Sequence, residues 1–147
     1  MKIGKNNMMR YLHSIIFSIL IFFLTTPVVF CETYDNLLKR NGLYYEKFSD
    51  IPFTGKVTGS SQGFIKHGKK HGMWVRYYEQ GQLWWKCNFK DGLREGQCIY
   101  YFINGNISYK ANYKNGKKEG YLYFYNKDGI LDKDYSGYYE NNKKVKN

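Results

Sequence analysis

What this chain lacks narrows its chemistry first. It has three histidines, and apart from His13 they lie in one loop, as His67 and His71. There is no Gly-x-Ser-x-Gly elbow to present a nucleophile and no strand-to-helix glycine loop to cradle a phosphate. Acidic residues number 12 against 23 Lys and Arg, and most fall in turns where they serve the backbone. With no acid–base pair and no activated nucleophile, the expectation is a protein that is not an enzyme and carries no cofactor. The net charge of +11 favours solubility and weak attraction to anionic surfaces without naming a ligand. No nucleic-acid-binding signature accompanies it, so no nucleic-acid partner is expected. His67 and His71 occupy repeat slots held elsewhere by Asp91 and Glu95, and Lys66, Lys69 and Lys70 would repel a cation. They read as turn residues, and no metal site is expected.

Long apolar runs are also missing, with one exception at the N-terminus. Lys2, Lys5 and Arg10 precede an apolar stretch from Ile15 to Phe30, broken only by Ser18, Thr25, Thr26 and Pro27. A charged segment followed by an apolar one is the pattern of a secretory signal, and this run is shorter than the roughly 20 residues of a membrane span. Residues 1–31 are therefore read as a signal-peptide helix, and the mature chain as periplasmic or secreted. Val29 and Cys31 supply the small residues wanted before a cleavage after Cys31. A lipidated Cys31 or an uncleaved anchor is the alternative, though Phe30 is bulky for a lipoprotein signal.

What is present is a repeat. From Gly72, the segment MWVRYYEQGQLWWKCNFKDGLREG returns as QCIYYFINGNISYKANYKNGKKEG and begins again as YLYFYNKDGILDKDY. Gly72, Gly96 and Gly120 lie 24 residues apart, as do Gly81, Gly105 and Gly129, and Gly68, Gly92 and Gly116. One supersecondary unit stacked on copies of itself explains three phased series. Each unit reads as two strands and two turns. Asp91-Gly92, Asn104-Gly105, Asn115-Gly116 and Asp128-Gly129 supply the positive φ that tight hairpins need. The fold expected is all-β: an elongated antiparallel sheet of stacked hairpins over residues 55–147. Residues 32–54, out of phase with the repeat, form a lead-in that covers the first sheet edge.

Alternation assigns the faces. Leu83, Trp85, Cys87 and Phe89 point one way, while Trp84, Lys86, Asn88 and Lys90 point the other; one period on, Ile107, Tyr109, Ala111 and Tyr113 oppose Ser108, Lys110, Asn112 and Lys114. In the first strands Trp74, Cys98, Tyr100, Leu122 and Phe124 share one face, and Val75, Tyr77, Tyr101, Tyr123 and Tyr125 the other. Most of the aromatic residues must pack across strands. Trp84 stands apart, because its equivalent one period on is Ser108. It is expected on the polar face beside Lys86 and Lys90, where a ring among lysines suits a contact hot spot. The candidate binding residues are Trp84, Lys86, Lys90, Lys110, Lys114, Tyr77, Tyr101 and Tyr125.

Two registers are open for Cys87 and Cys98. If Lys90 faces Gln97, Cys87 faces Tyr100, and the cysteines stay a diagonal step apart as buried thiols. A tighter register sets them opposite one another and permits a disulfide, which an exported compartment favours. The thiol pair is the expectation, and the disulfide the alternative.

The word Gly-x-Trp-x-x-Tyr-Tyr-x-x-Gly-x-Leu from Gly72 to Leu83, followed by Phe89-Lys90-Asp91-Gly92 and Glu95-Gly96, resembles the variant MORN repeat of bacterial proteins, a group often labelled the YwqK-type antitoxin family. Pro52-Phe53-Thr54-Gly55-Lys56-Val57 is similar to the segment that leads into such repeats. The resemblance covers roughly residues 42–146 and implies a sheet of stacked hairpins with a binding or scaffolding role. It implies another protein as partner, a toxin or an envelope protein given the export signal. Peripheral contact with anionic lipid or glycan surfaces through the aromatic and lysine rows is the rival reading.

Overall fold

The computed structural model describes residues 30–146; residues 1–29 of the expected signal helix lie outside them, and of its last two Cys31 begins a strand instead of ending a helix. The chain forms twelve strands and one 3-10 turn at Tyr34–Asn36. They are β1 (Cys31–Thr33), β2 (Leu37–Arg40), β3 (Leu43–Glu46), β4 (Gly55–Thr58), β5 (Ser61–Lys66), β6 (Lys69–Tyr77), β7 (Leu83–Lys90), β8 (Leu93–Tyr101), β9 (Ile107–Lys114), β10 (Lys117–Tyr125), β11 (Leu131–Glu140) and β12 (Lys143–Lys146). Ten of them make one sheet in the order β1-β4-β5-β6-β7-β8-β9-β10-β11-β12, and β2 and β3 pair separately.

From β4 to β12 every pairing is antiparallel, as stacked hairpins require. At the first edge, however, β1 runs parallel to β4, so the sheet is mixed. The cause is the β2–β3 hairpin, a crossover between β1 and β4 of the kind a parallel pair needs. The lead-in thus does two things. Its first residues extend the edge, where Phe30 O accepts a hydrogen bond from the Lys56 amide at 2.8 Å. Its hairpin packs beside the sheet, with Leu37 buried against Phe53, Val57, Ile65 and Trp74, and Tyr34 and Tyr44 alongside.

Hairpin chemistry differs at the two ends of the strands. At one end, His67-Gly68, Asp91-Gly92, Asn115-Gly116 and Asn141-Asn142 all have positive φ at both residues, the two-residue turn whose twist matches the strands. At the other end Gly59, Gly81, Gly105 and Gly129 are left-handed; Asn104 and Asp128 are not. There Gly81 N donates to Tyr78 O and Tyr78 N to Gln82 O, a three-residue loop closed by its glycine.

The connection from β7 to β8 is a two-residue turn followed by a bulge. Cys87 pairs with Cys98 and Phe89 with Arg94, so that Asn88 alone opposes Glu95, Gly96 and Gln97. The same offset recurs between β9 and β10, where Lys118 pairs with Tyr113 and Leu122 with Ala111. Gly96 has φ +73 with open space around it, so the bulge requires its backbone conformation rather than its small size. The tighter register is thus the one adopted. A disulfide joins Cys87 and Cys98, whose Cα atoms are 4.3 Å apart.

The repeated Glu-Gly also gains a local role. Glu95 Oε2 accepts the Asn115 amide at 2.8 Å and Glu119 Oε2 the Asn141 amide at 3.1 Å. Each carboxylate fastens one hairpin turn to the next, which the stacking of successive units needs. Where His71 replaces the glutamate, its Nδ1 lies 3.8 Å from Asp91 Oδ1.

Candidate functional site

The core lies on one face. Trp74, Cys87, Cys98, Ala111 and Leu122 form a single cross-strand rung, each at most 2% exposed. The neighbouring rung is Arg76, Trp85, Tyr100, Tyr109 and Phe124. Its rings run in contact, with centroids 6.2 Å apart for Trp85–Tyr100, 5.4 Å for Tyr100–Tyr109 and 4.9 Å for Tyr109–Phe124. From the other side of the small rung, Arg94 Nη2 donates to Tyr100 OH at 2.7 Å, and the hydroxyls of Tyr109 and Tyr113 are 2.9 Å apart. Aromatic side chains thus close over cysteine and alanine, and a single sheet makes a core without a second layer.

Three cations belong to that roof, and sequence reasoning missed their role. Lys70, Arg94 and Lys118 each follow a turn glycine by two residues and keep the 24-residue period, the signal that could have found them. Lys70 Nζ lies 4.1 Å from the Trp74 ring centre, 5.1 Å from Tyr34, and 5.5 Å from both Trp85 and Phe89. The Arg94 guanidinium is 5.2 Å from Tyr113, and Lys118 Nζ 5.4 Å from Tyr139. Burial, then Lys39, Arg76 and Arg94, push the Lys70 pKa down to about 8. Burial and the hydrogen bond shared with the Tyr34 hydroxyl raise that of Tyr44. Burial and the Tyr113 hydroxyl raise that of Tyr109.

The opposite face carries the expected lysines. Val75, Lys86, Ile99, Lys110 and Tyr123 form one cross-strand rung, and Lys86 Nζ is 6.0 Å from the Tyr101 ring centre. Beside that rung run the pairs Tyr77–Leu83, Tyr101–Ile107 and Tyr125–Leu131. Lys86, Lys110, Tyr77, Tyr101 and Tyr125 are therefore neighbours on one surface. Lys90 and Lys114 sit at the far ends of β7 and β9, four residues and about 13 Å along the strand from Lys86 and Lys110.

Trp84 is not with them. Between Arg76–Trp85 and Tyr77–Leu83 the register slips by one residue, and Trp84 is the extra one. A bulge breaks the strict alternation of faces. Leu83 thereby joins the face of Tyr77, and Trp84 turns away from the lysines. It stacks on Tyr78 at 5.5 Å and lies 4.8 Å from the Arg76 guanidinium, half-buried. Ser108 occupies the same slip in β9. No protein-family model matches the chain, and no curated protein matches it. Function has to be read from these two faces alone. Among the described residues no three His, Cys, Asp or Glu side chains group together.

Proposed function

We propose that the protein is a non-enzymatic interaction module of the cell envelope that binds another protein through the face carrying Lys86 and Lys110. The supporting observation is the lysine rung flanked by Tyr77, Tyr101 and Tyr125, a surface of half-buried rings and of ammonium groups with no carboxylate within 4.0 Å among the described residues. Tyrosine gives contact area with little entropy loss, and fixed lysines select an acidic partner. The envelope setting rests on the export signal, and the scaffolding role agrees with the MORN-variant resemblance and its antitoxin-type relatives.

Pull-down from envelope extract with the double variant Lys86→Ser/Lys110→Ser tests the reading. Wild-type protein should retain a stoichiometric protein partner at moderate salt, and the variant should lose it by at least tenfold, or about 1.4 kcal/mol. Equal capture by the variant would sink the proposal. Capture abolished by anionic vesicles or glycans would move the assignment to the rival reading, in which the lysine rows bind a charged surface.

A further inference from the structure

On the other face, between the β2–β3 hairpin and the sheet, lies a groove of about 400 Å³ lined by Lys39, Tyr44, Lys69, Lys70, Trp85, Phe89 and Arg94. Four of those seven side chains are cations. Lys39 comes from the hairpin, Lys69 and Lys70 from β6, and Arg94 from β8, so three separate elements bring like charge to one space. Such an arrangement opposes folding unless something offsets it. Among the described residues, the ion pairs within 4.0 Å are Arg40–Asp50 and His71–Asp91. None of the four cations lining the groove has a carboxylate partner.

Lys70 carries the strongest part of the case. It is half-buried, and the charges that perturb it are Lys39, Arg76 and Arg94, all of its own sign. The rings of Trp74, Tyr34, Trp85 and Phe89 stabilise its ammonium by their π faces. A π face accepts no strong hydrogen bond, and no acceptor lies within bonding distance of its Nζ among the described residues. The neighbouring Arg94 spends two donors on the hydroxyls of Tyr100 and Tyr113 and has others to spare.

We infer that this groove binds a small molecule bearing a carboxylate or phosphate group on a ring-sized body. The oxyanion lies among Lys39, Lys69, Lys70 and Arg94, and the body lies against Trp85 and Phe89. The volume fits the inference, since ligand sites run from about 300 to 1,000 Å³, well beyond the needs of a bare inorganic ion. Charge-assisted hydrogen bonds from converging cations are the strong kind, and the groove supplies them beside an aromatic floor. Gly42 at its margin has no atom within 4 Å of a Cβ placed there, which leaves its backbone open to close approach. The proposal is independent of the protein-binding face, because Lys86 and Lys110 point to the other side of the sheet.

Calorimetric titration of the full chain with phenyl phosphate, benzoate and the neutral benzyl alcohol tests it. Phenyl phosphate, benzoate or both should bind saturably with Kd below about 1 mM, and benzyl alcohol should not. The tighter oxyanion names the ligand class. Lys70→Met should weaken binding at least tenfold. Lys39→Ala, on an exposed side chain of the hairpin, should weaken it about fivefold without disturbing the core, and Lys86→Met should leave it unchanged. The inference fails if neither anion binds with Kd below about 1 mM or if the alcohol binds as tightly. It also fails if both Lys39→Ala and Lys70→Met, folded by circular dichroism, bind like the wild type.

Discussion

The fold works against the charge of Lys70. Its pKa falls from 10.5 to about 8, first through burial and then through Lys39, Arg76 and Arg94. Between those values the unfolded chain holds a proton that the folded one has released, so stability rises with pH across that window. The tyrosines act in the opposite sense. Tyr44 and Tyr109 have pKa values raised above the ordinary 10.0; above that pH the unfolded phenols ionise first, and stability falls. Stability is therefore expected to rise from about pH 8 and to peak near pH 10. Lys70→Met should raise the urea midpoint at pH 7 and do much less at pH 9.5, and a flat difference between the two would contradict the assignment. At this scale the sequence was legible where alternation holds and illegible where it breaks. Lys86 and Lys110 took the face that their parity assigns. Trp84 did not, because a one-residue slip beside it is a matter of pairing, which a strand's own pattern does not record.

Bulges are the element that the glycine phases encode. Gly72, Gly96 and Gly120 each lie inside a strand with positive φ. Spacing alone locates such a glycine without saying whether it closes a turn or kinks a strand. The distinction mattered for Cys87 and Cys98, since the two-residue turn at Asp91-Gly92 followed by a bulge is what brings them opposite. Gly96→Ala separates the two roles. No atom lies within 4 Å of a Cβ placed there, so the cost is conformational alone, about 1–2 kcal/mol. Chemical denaturation should show that loss, whereas a residue in a permissive loop would lose almost nothing. Trp74 illustrates a different constraint. A Cβ on Gly63 would meet its indole ring, and the indole N–H donates to Phe64 O at 3.0 Å. No local pattern announces that contact, because its partners lie ten residues apart.

Across the whole molecule, burial is unevenly shared. The β2–β3 hairpin helps bury Val57, Ile65 and Trp74 in one cluster, while Cys98, Ala111, Tyr113 and Leu122 in the other are roofed by side chains of the sheet itself. The last strand, Lys143–Lys146, is exposed at every residue. Its lysines discourage a further chain from pairing with the edge. Amide exchange should therefore grade along the sheet, fastest in β12 and β11 and slowest from β5 to β8. Uniform protection would show that the sheet opens as one unit. That repeated hairpins would stack was plain from the glycine phases. That the lead-in would meet the first edge was expected from its loss of phase; that its β2–β3 hairpin would also pack on Val57, Ile65 and Trp74 was not, because those contacts join residues far apart in sequence with no periodicity to expose them.

The parallel strand at the first edge has a consequence for how the chain is made. Synthesis delivers β1 to β6 before any 24-residue unit is complete, and those strands already contain their own crossover and Leu37, Phe53, Val57, Ile65 and Trp74. Each later hairpin then meets a finished margin and adds to it, as a knitted row is worked onto the one before. Growth in that order never requires a late segment to thread beneath an early one. The chain can solidify from its leading end as it emerges, with the lysine-rich final strand acting as the cast-off.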